Sequence, residues 1–257
     1  MDSPLDRPAE SRALLKTTWL RFRDQVALRA LAIFLLLTTL GLLVAHPLAG
    51  VLAAESGINR GLQARRTPTW DAVTNYASTL ADTDVIVMCT LALALVMRVV
   101  CNRWREPVFL MVTVALASTT FTLTTFPVER GRPDVAHLDP APPTSSFPSG
   151  HVGAATALYG GLALLMVCWR RWHAPPALGP VLLGLMVAIP LVVPLAVAVS
   201  RMYRGMHFLS DVTVGIVNGA LCIAVAANAY LRDPDPDRAG LRGLRPRPRP
   251  APEQAQS

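Results

Sequence analysis

Two groups of polar residues stand at the ends of long apolar runs, and their types are those that can handle a phosphoryl group. The first is Arg130-Gly131-Arg132-Pro133, followed after a loop by Pro148-Ser149-Gly150-His151; the second is Ser200-Arg201, then His207, then Asp211. Taken singly, each arginine reads as a side chain snorkelling to a membrane interface, and each histidine as incidental. Two arginines, two histidines, a Ser-Gly helix start and a carboxylate on one side are harder to assign to packing. Arg132 and Arg201 can each offer a forked donor to phosphate oxygens. Ser149 is placed to cap the helix that follows it, and the free N–H groups at Gly150 and beyond make an anion site. Such a set neutralises a transferring phosphoryl group without a metal.

His207 and Asp211 are four apart at the expected start of a helix, hence on one face. A carboxylate there can fix the imidazole tautomer and stabilise the cation formed on attack. His151 is then free to protonate the leaving oxygen, help typically worth ~10²–10⁴ in rate. Tyr203, Arg204 and Met206, inside the second group, are placed to shape access. His46, His137 and His173 have no partner at useful spacing and read as structural.

The elements that must position these residues are membrane helices. The chain is 52% hydrophobic and only 16% charged, where a soluble domain would be nearer about a quarter charged. Six apolar segments follow, roughly Ala30 to Ala54, Val85 to Val100, Pro107 to Pro127, His151 to Trp169, Leu178 to Val199 and Val212 to Leu231. Each approaches the roughly 20 residues that cross about 30 Å of hydrocarbon, and in lipid only a helix pairs its own backbone. The expected fold is all-α: a six-transmembrane helix bundle with its site at the extracytoplasmic ends of helices three to six. The first segment reads as a retained helix, although Val51-Leu52-Ala53 has the look of a cleavage site.

Basic residues orient the bundle. Seventeen of the 24 Lys and Arg fall on the side that holds both termini, and seven on the other. The positive-inside rule makes the termini cytoplasmic and the polar groups extracytoplasmic. Residues 1–29 form a basic cytoplasmic leader, 30–231 the bundle, and 232–257 a Pro/Arg-rich tail expected to be disordered. Thr69-Trp70-Asp71-Ala72-Val73 reads as a capped amphipathic helix on the surface. No basic stripe with interleaved aromatics occurs in a foldable segment, so nucleic acid is not an expected partner. Cys89, Cys101, Cys168 and Cys222 show neither metal spacing nor a disulfide framework.

The blocks at 125–133, 148–151 and 200–211 resemble the three signature motifs of the type 2 phosphatidic acid phosphatase superfamily, which includes vanadium haloperoxidases and glucose-6-phosphatase. The second and third blocks match in full, over a resemblance spanning roughly residues 55–231. It implies His207 as a nucleophile forming a phosphohistidine, Asp211 as its orienting partner, and His151 as general acid and then base. It implies Arg132, Arg201, Ser149 and Gly150 as the phosphate cradle, no metal or organic cofactor, and a lipid phosphate as substrate, of the undecaprenyl diphosphate, phosphatidate or phosphatidylglycerophosphate kind. One position departs: the family lysine seven residues before Arg132 is Thr125, and Lys16 is the only lysine in the chain. Thr125 offers a hydroxyl without charge, and Arg130 is the candidate to restore the positive group, its alternative being an interface arginine. The other readings are vanadate-dependent peroxidation, phosphoryl transfer to another acceptor, or a non-catalytic lipid-binding member. Oligomeric state is not written in the sequence.

Overall fold

The computed structural model describes residues 26–48, 50, 54–102, 104–173 and 180–231. The basic leader up to residue 25, Val51-Leu52-Ala53 and the tail from residue 232 lie outside them. The helices are α1 (Leu28–Ala45), α2 (Ala54–Ala64), α3 (Pro68–Thr79), α4 (Thr83–Cys101), α5 (Arg105–Thr125), α6 (Gly150–Ala155), α7 (Gly161–His173), α8 (Pro180–Tyr203) and α9 (Leu209–Tyr230). A π-helical turn, Thr156–Gly160, joins α6 to α7 without a break. Among the described residues six helices are long and apolar enough to cross a membrane, with α6 and α7 forming a single span. The all-α bundle read from hydropathy is the observed architecture.

Two boundaries differ for local reasons. The first apolar run does not continue to Ala54: α1 stops at Ala45, ahead of His46-Pro47, because a proline disfavours helical geometry at the residue before it. Ala54 instead opens α2, a short polar helix that hydropathy alone did not separate. The surface helix is capped by Thr67 rather than Thr69. Thr67 Oγ1 accepts from the Trp70 amide at 3.3 Å, and Pro68 takes the first helical position, where no N–H is needed. That helix, α3, leaves Trp70, Val73 and Tyr76 exposed along one side, a pattern suited to a membrane interface.

The exterior of the bundle is apolar: Leu91, Leu95, Val99, Leu191, Val192 and Leu195 are all exposed, as lipid-facing residues must be. Half of the Gly150–Trp169 span is buried against only 17% of α1 and of α4, so the α6–α7 helix is the central post and those two are peripheral. Hydroxyls inside the spans bond back to their own helix, as Thr90 does to Ile86 O (2.6 Å) and Thr113 to Phe109 O (2.7 Å). These hydroxyls thereby cross the lipid paired, whereas Thr38 Oγ1 of α1 is buried without a partner.

Small residues let the central post meet α9. In α9, Gly215 and Gly219 are four apart; a Cβ on Gly215 would stand 2.7 Å from Ser149 O, and one on Gly219 would stand 2.5 Å from Thr156 Cβ and 2.8 Å from Gly153 O. Backbone-to-backbone approach of this kind is the usual service of small residues at four-residue spacing between membrane helices. Gly219→Ala is therefore expected to lower stability by about 1–3 kcal/mol through overpacking. Gly61→Ala, with nothing within 4 Å, should be neutral or slightly stabilising. Thermal unfolding of the two variants in detergent checks this.

Candidate active site

The third sequence block is shaped by how α8 ends. The Gly205 amide donates to Met202 O (3.1 Å) and the Met206 amide to Arg201 O (3.0 Å), a paired closure of the last turn. It requires the left-handed conformation that Gly205 adopts at φ +79°, where a Cβ would also approach Val135 Cγ2 at 2.8 Å. The chain then reverses so that His207 precedes α9 rather than lying on it. Residues 207 and 211 are near each other, but not as neighbours on one helical face.

The His207 Nδ1 lies 2.7 Å from the Ser146 carbonyl oxygen, while Asp211 Oδ2 is 3.8 Å away. Ser146 O thus accepts the Nδ1 proton and leaves Nε2 with its lone pair. The fully buried Asp211 acts on the ring as a nearby charge. Asp211 Oδ2 accepts from the Phe208 amide (2.8 Å), and Oδ1 pairs with Arg130. Burial pushes the His207 imidazole below its ordinary value; Asp211 pulls it up, and the Arg201 and Arg132 cations push it further down.

The second block meets the third through backbone: the Ser149 amide donates to Asp211 O at 3.0 Å. Ser149 occupies the N-cap position of α6 but does not cap it, because its Oγ points into the protein interior, buried and without a protein partner. Gly150 lies against the Phe121 ring, which a Cβ would approach to 2.7 Å. His151 follows, its Nε2 3.2 Å from Asp82 Oδ1.

Arg132, Gly150, His151, Arg201 and His207 line one cavity of about 680 Å³. Arg132 is held by Nη1 on Met206 O (2.8 Å), and Arg201 by Nη1 on Ser78 Oγ (2.9 Å) and Asp139 Oδ2 (2.8 Å). The Nε groups of both arginines are buried and unpartnered, as is Ser149 Oγ. Three buried donors without acceptors at one end of a bundle are costly unless an anion takes them. Burial lowers the Arg132 guanidinium, partly offset by Asp211. No group of three or more His, Cys, Asp or Glu among the described residues could hold a metal ion.

Ser149 and Asp211, both wholly buried, do not line the cavity, and two further candidates fall elsewhere. Thr125 is half-buried, donates to Thr122 O of its own helix (2.7 Å) and does not line the cavity. Arg130 does not line it either: its guanidinium is engaged by Asp211, Ser210 and Glu55, so it does not stand in for the missing lysine. Tyr203, Arg204 and Met206 also stay out of the cavity; Tyr203 Oη donates to Asp71 Oδ1 (2.9 Å), Met206 is core, and Arg204 meets Asp139.

Sequence reasoning missed Asp82, Asp139, Ser78 and the Ser146 carbonyl. Arg201 in the last turn of α8 and Arg204 just beyond it, three apart, signal that a carboxylate must meet them, but nothing local says it is Asp139. Burial raises the Asp139 carboxyl, yet the Arg204 hydrogen bond and the Arg201 and Arg204 charges outweigh it, and the net direction is down.

A match to the PAP2 superfamily model covers residues 83–234, more than half of the chain. The chain belongs to the PAP2 superfamily. Its fold is that of membrane members: it is similar to the crystal structure of a transmembrane PAP2-type phosphatidylglycerolphosphate phosphatase from Bacillus subtilis, with TM-score 0.64 and 21% identity over 78% of this chain and 94% of that one. It is also similar to LpxE from Aquifex aeolicus, with TM-score 0.53 and 21% identity over 67% of this chain and 93% of that one. No curated protein sequence matches it.

Asp139→Asn should cost about 1–3 kcal/mol near neutral pH, because it leaves buried guanidinium charge uncompensated. A carboxyl with a lowered folded pKa stabilises fully above its unfolded value of about 3.9, and that contribution is lost as pH falls through the folded value. The stability gap between wild type and Asp139→Asn should accordingly close in acid, as read by unfolding midpoints across pH.

Proposed function

We propose that this chain is a lipid-phosphate phosphatase working through a phosphohistidine at His207. One observation carries the reading: the cavity that holds both histidines and both cradle arginines is also lined by Ile86 and Val87 of α4 and by Val114 and Phe121 of α5. A polar end beside an apolar flank between two membrane helices suits a substrate whose phosphate is bound while its tail stays in the bilayer.

In the first step His207 Nε2 attacks the terminal phosphorus, its bond to the leaving oxygen breaks (the ester oxygen of a monophosphate, the bridging oxygen of a diphosphate), and His151 gives that oxygen a proton. In the second, His151 takes a proton from water, which attacks phosphorus, breaks the P–N bond and releases inorganic phosphate. Arg132, Arg201, Ser149 and the Gly150 amide receive the oxygens as charge develops. The substrate class comprises undecaprenyl diphosphate, phosphatidate and phosphatidylglycerophosphate. A carrier diphosphate is the first choice, since the basic-residue distribution supports an extracytoplasmic site, the face on which such a phosphate is removed for recycling. The second reading, a non-catalytic lipid-binding member, draws on Thr125 in place of a lysine and on the hold of Asp139 on Arg201.

Purified protein in detergent with chelator should release phosphate from at least one of these lipids, and His207→Ala should lower the rate by about 10³-fold or more. The reactive imidazole must be neutral, and burial disfavours its cation. The rate should therefore hold at the ordinary histidine value of about 6.5 and decline only as pH falls through a lower one. Absence of release from every lipid would favour the non-catalytic reading. Tags on either terminus should be shielded from external protease in intact cells; cleavage of both would place the site in the cytoplasm.

A further inference from the structure

We propose that Glu55 and Arg130 form a buried ionic latch that positions Asp211 and, through it, sets how readily His207 takes a proton. The inference rests on the reading of His207 as nucleophile. Arg130 Nη1 bonds Asp211 Oδ1 and also donates to Ser210 Oγ (2.7 Å); its Nη2 donates to Glu55 Oε2 (3.1 Å). The Phe208 ring covers the guanidinium, with its centroid 4.3 Å from Cζ. Glu55 completes the ring of contacts by accepting the Ser210 amide on Oε1 (3.1 Å) and the Ser210 hydroxyl on Oε2 (2.9 Å). The Arg130 and Glu55 side chains are each only 10% exposed and that of Asp211 is wholly buried, so these are not solvated surface pairs.

The latch ties α2 to the first turn of α9. One turn along α2 from Glu55, the buried Asn59 Nδ2 donates to the His207 carbonyl (3.1 Å) and the Met202 carbonyl (3.3 Å). Helix α2 therefore braces the His207 segment at its backbone and at its carboxylate. Asp211 is held away from a direct hydrogen bond to the ring: Arg130 occupies one oxygen, the Phe208 amide the other, and Ser146 O takes the Nδ1 proton.

The groups that face His207 are Asp211 at the start of α9, Arg201 of α8, Arg132 of the loop after α5, and His151 of α6. Of these, Asp211 alone favours the imidazolium; Asp82 and Asp139 line the same cavity as further carboxylates. Arg130 offsets the Asp211 carboxylate, and Glu55 offsets Arg130. Removing the Arg130 charge should make His207 easier to protonate, and removing the Glu55 charge should make it harder. Opposite signs from two members of one cluster are not what general loosening of the fold would give.

The test is titration of His207 by NMR on ¹⁵N-histidine protein in detergent, its signal assigned by loss in His207→Gln, with turnover measured in parallel. Arg130→Gln should move the His207 titration up by about half to one pH unit, and Glu55→Gln should move it down. Arg130→Lys, which keeps the charge, should stay near wild type. On a short-chain phosphatidate, Arg130→Gln should lower kcat roughly tenfold or more, with KM changed less than about twofold, as expected for displaced geometry rather than lost binding. Identical titrations in all variants, or shifts in the same direction, would overturn the latch. If Arg130→Gln does not fold, the downward shift in Glu55→Gln decides alone. Wild-type protein that never releases phosphate would refute the phosphatase reading and leave the titration free to decide the latch.

Discussion

The site depends on the contact between the first turns of α6 and α9. The Ser149 amide donates to Asp211 O, and the missing side chain of Gly215 lets the two backbones reach van der Waals distance. That contact sets the Ser149-Gly150-His151 turn beside the His207–Asp211 segment, although the blocks are some sixty residues apart in sequence. A side chain at Gly215 or Gly219 would push the turns apart, and a shift of even about 1 Å in a reacting geometry can be worth about 10²-fold in rate. The bilayer adds a second demand. It supplies no water to unpaired groups inside the spans. Three donors left without protein partners, Arg132 Nε, Arg201 Nε and Ser149 Oγ, gather at one end of the bundle, and a fourth, Thr38 Oγ1, lies within the α1 span.

Charge in the site is arranged in tiers. Arg132 and Arg201 face the cavity, each anchored through one nitrogen and with another unpartnered. Two carboxylates hold arginines in place: Asp139 lines the cavity beside Arg201, and the wholly buried Asp211 pairs with Arg130. The family position Thr125 adds nothing to the cavity, since its hydroxyl is spent on its own helix. The donors that line the cavity are thus the two arginines and the start of α6 at Gly150, with the unpartnered Ser149 hydroxyl buried next to Gly150 in sequence.

Much of this was legible in the sequence because lipid simplifies the code. Helices are the only solution for long apolar runs, so the spans could be placed to within a few residues, save the end of the first, which stops at Ala45 rather than Ala54. Spacing carried the candidate site: Gly150, His151, Arg201 and His207 line one cavity, and Ser149, next to Gly150 in sequence, is joined to Asp211 by a backbone hydrogen bond. What escaped reading depends on long-range pairing. His151 meets Asp82 across 69 positions, and His207 meets a main-chain carbonyl, a group that every residue carries. Arg130 shows the limit most clearly. A charge count made it a substitute for the absent lysine, while Glu55, 75 residues away, and Asp211 draw it out of the cavity. Local rules also failed at Ser149, whose position is that of a cap and whose hydroxyl is not.

The central claim is that His207 Nε2 becomes covalently bonded to phosphorus. The direct measurement is to quench the protein during turnover with a ³²P-labelled lipid phosphate, using His151→Ala to slow the water step, and to map the label by peptide mass spectrometry. The account predicts an acid-labile, base-stable phosphoryl group on His207. Label on another residue, or phosphate release with no labelled histidine under conditions that preserve phosphohistidine, would contradict it.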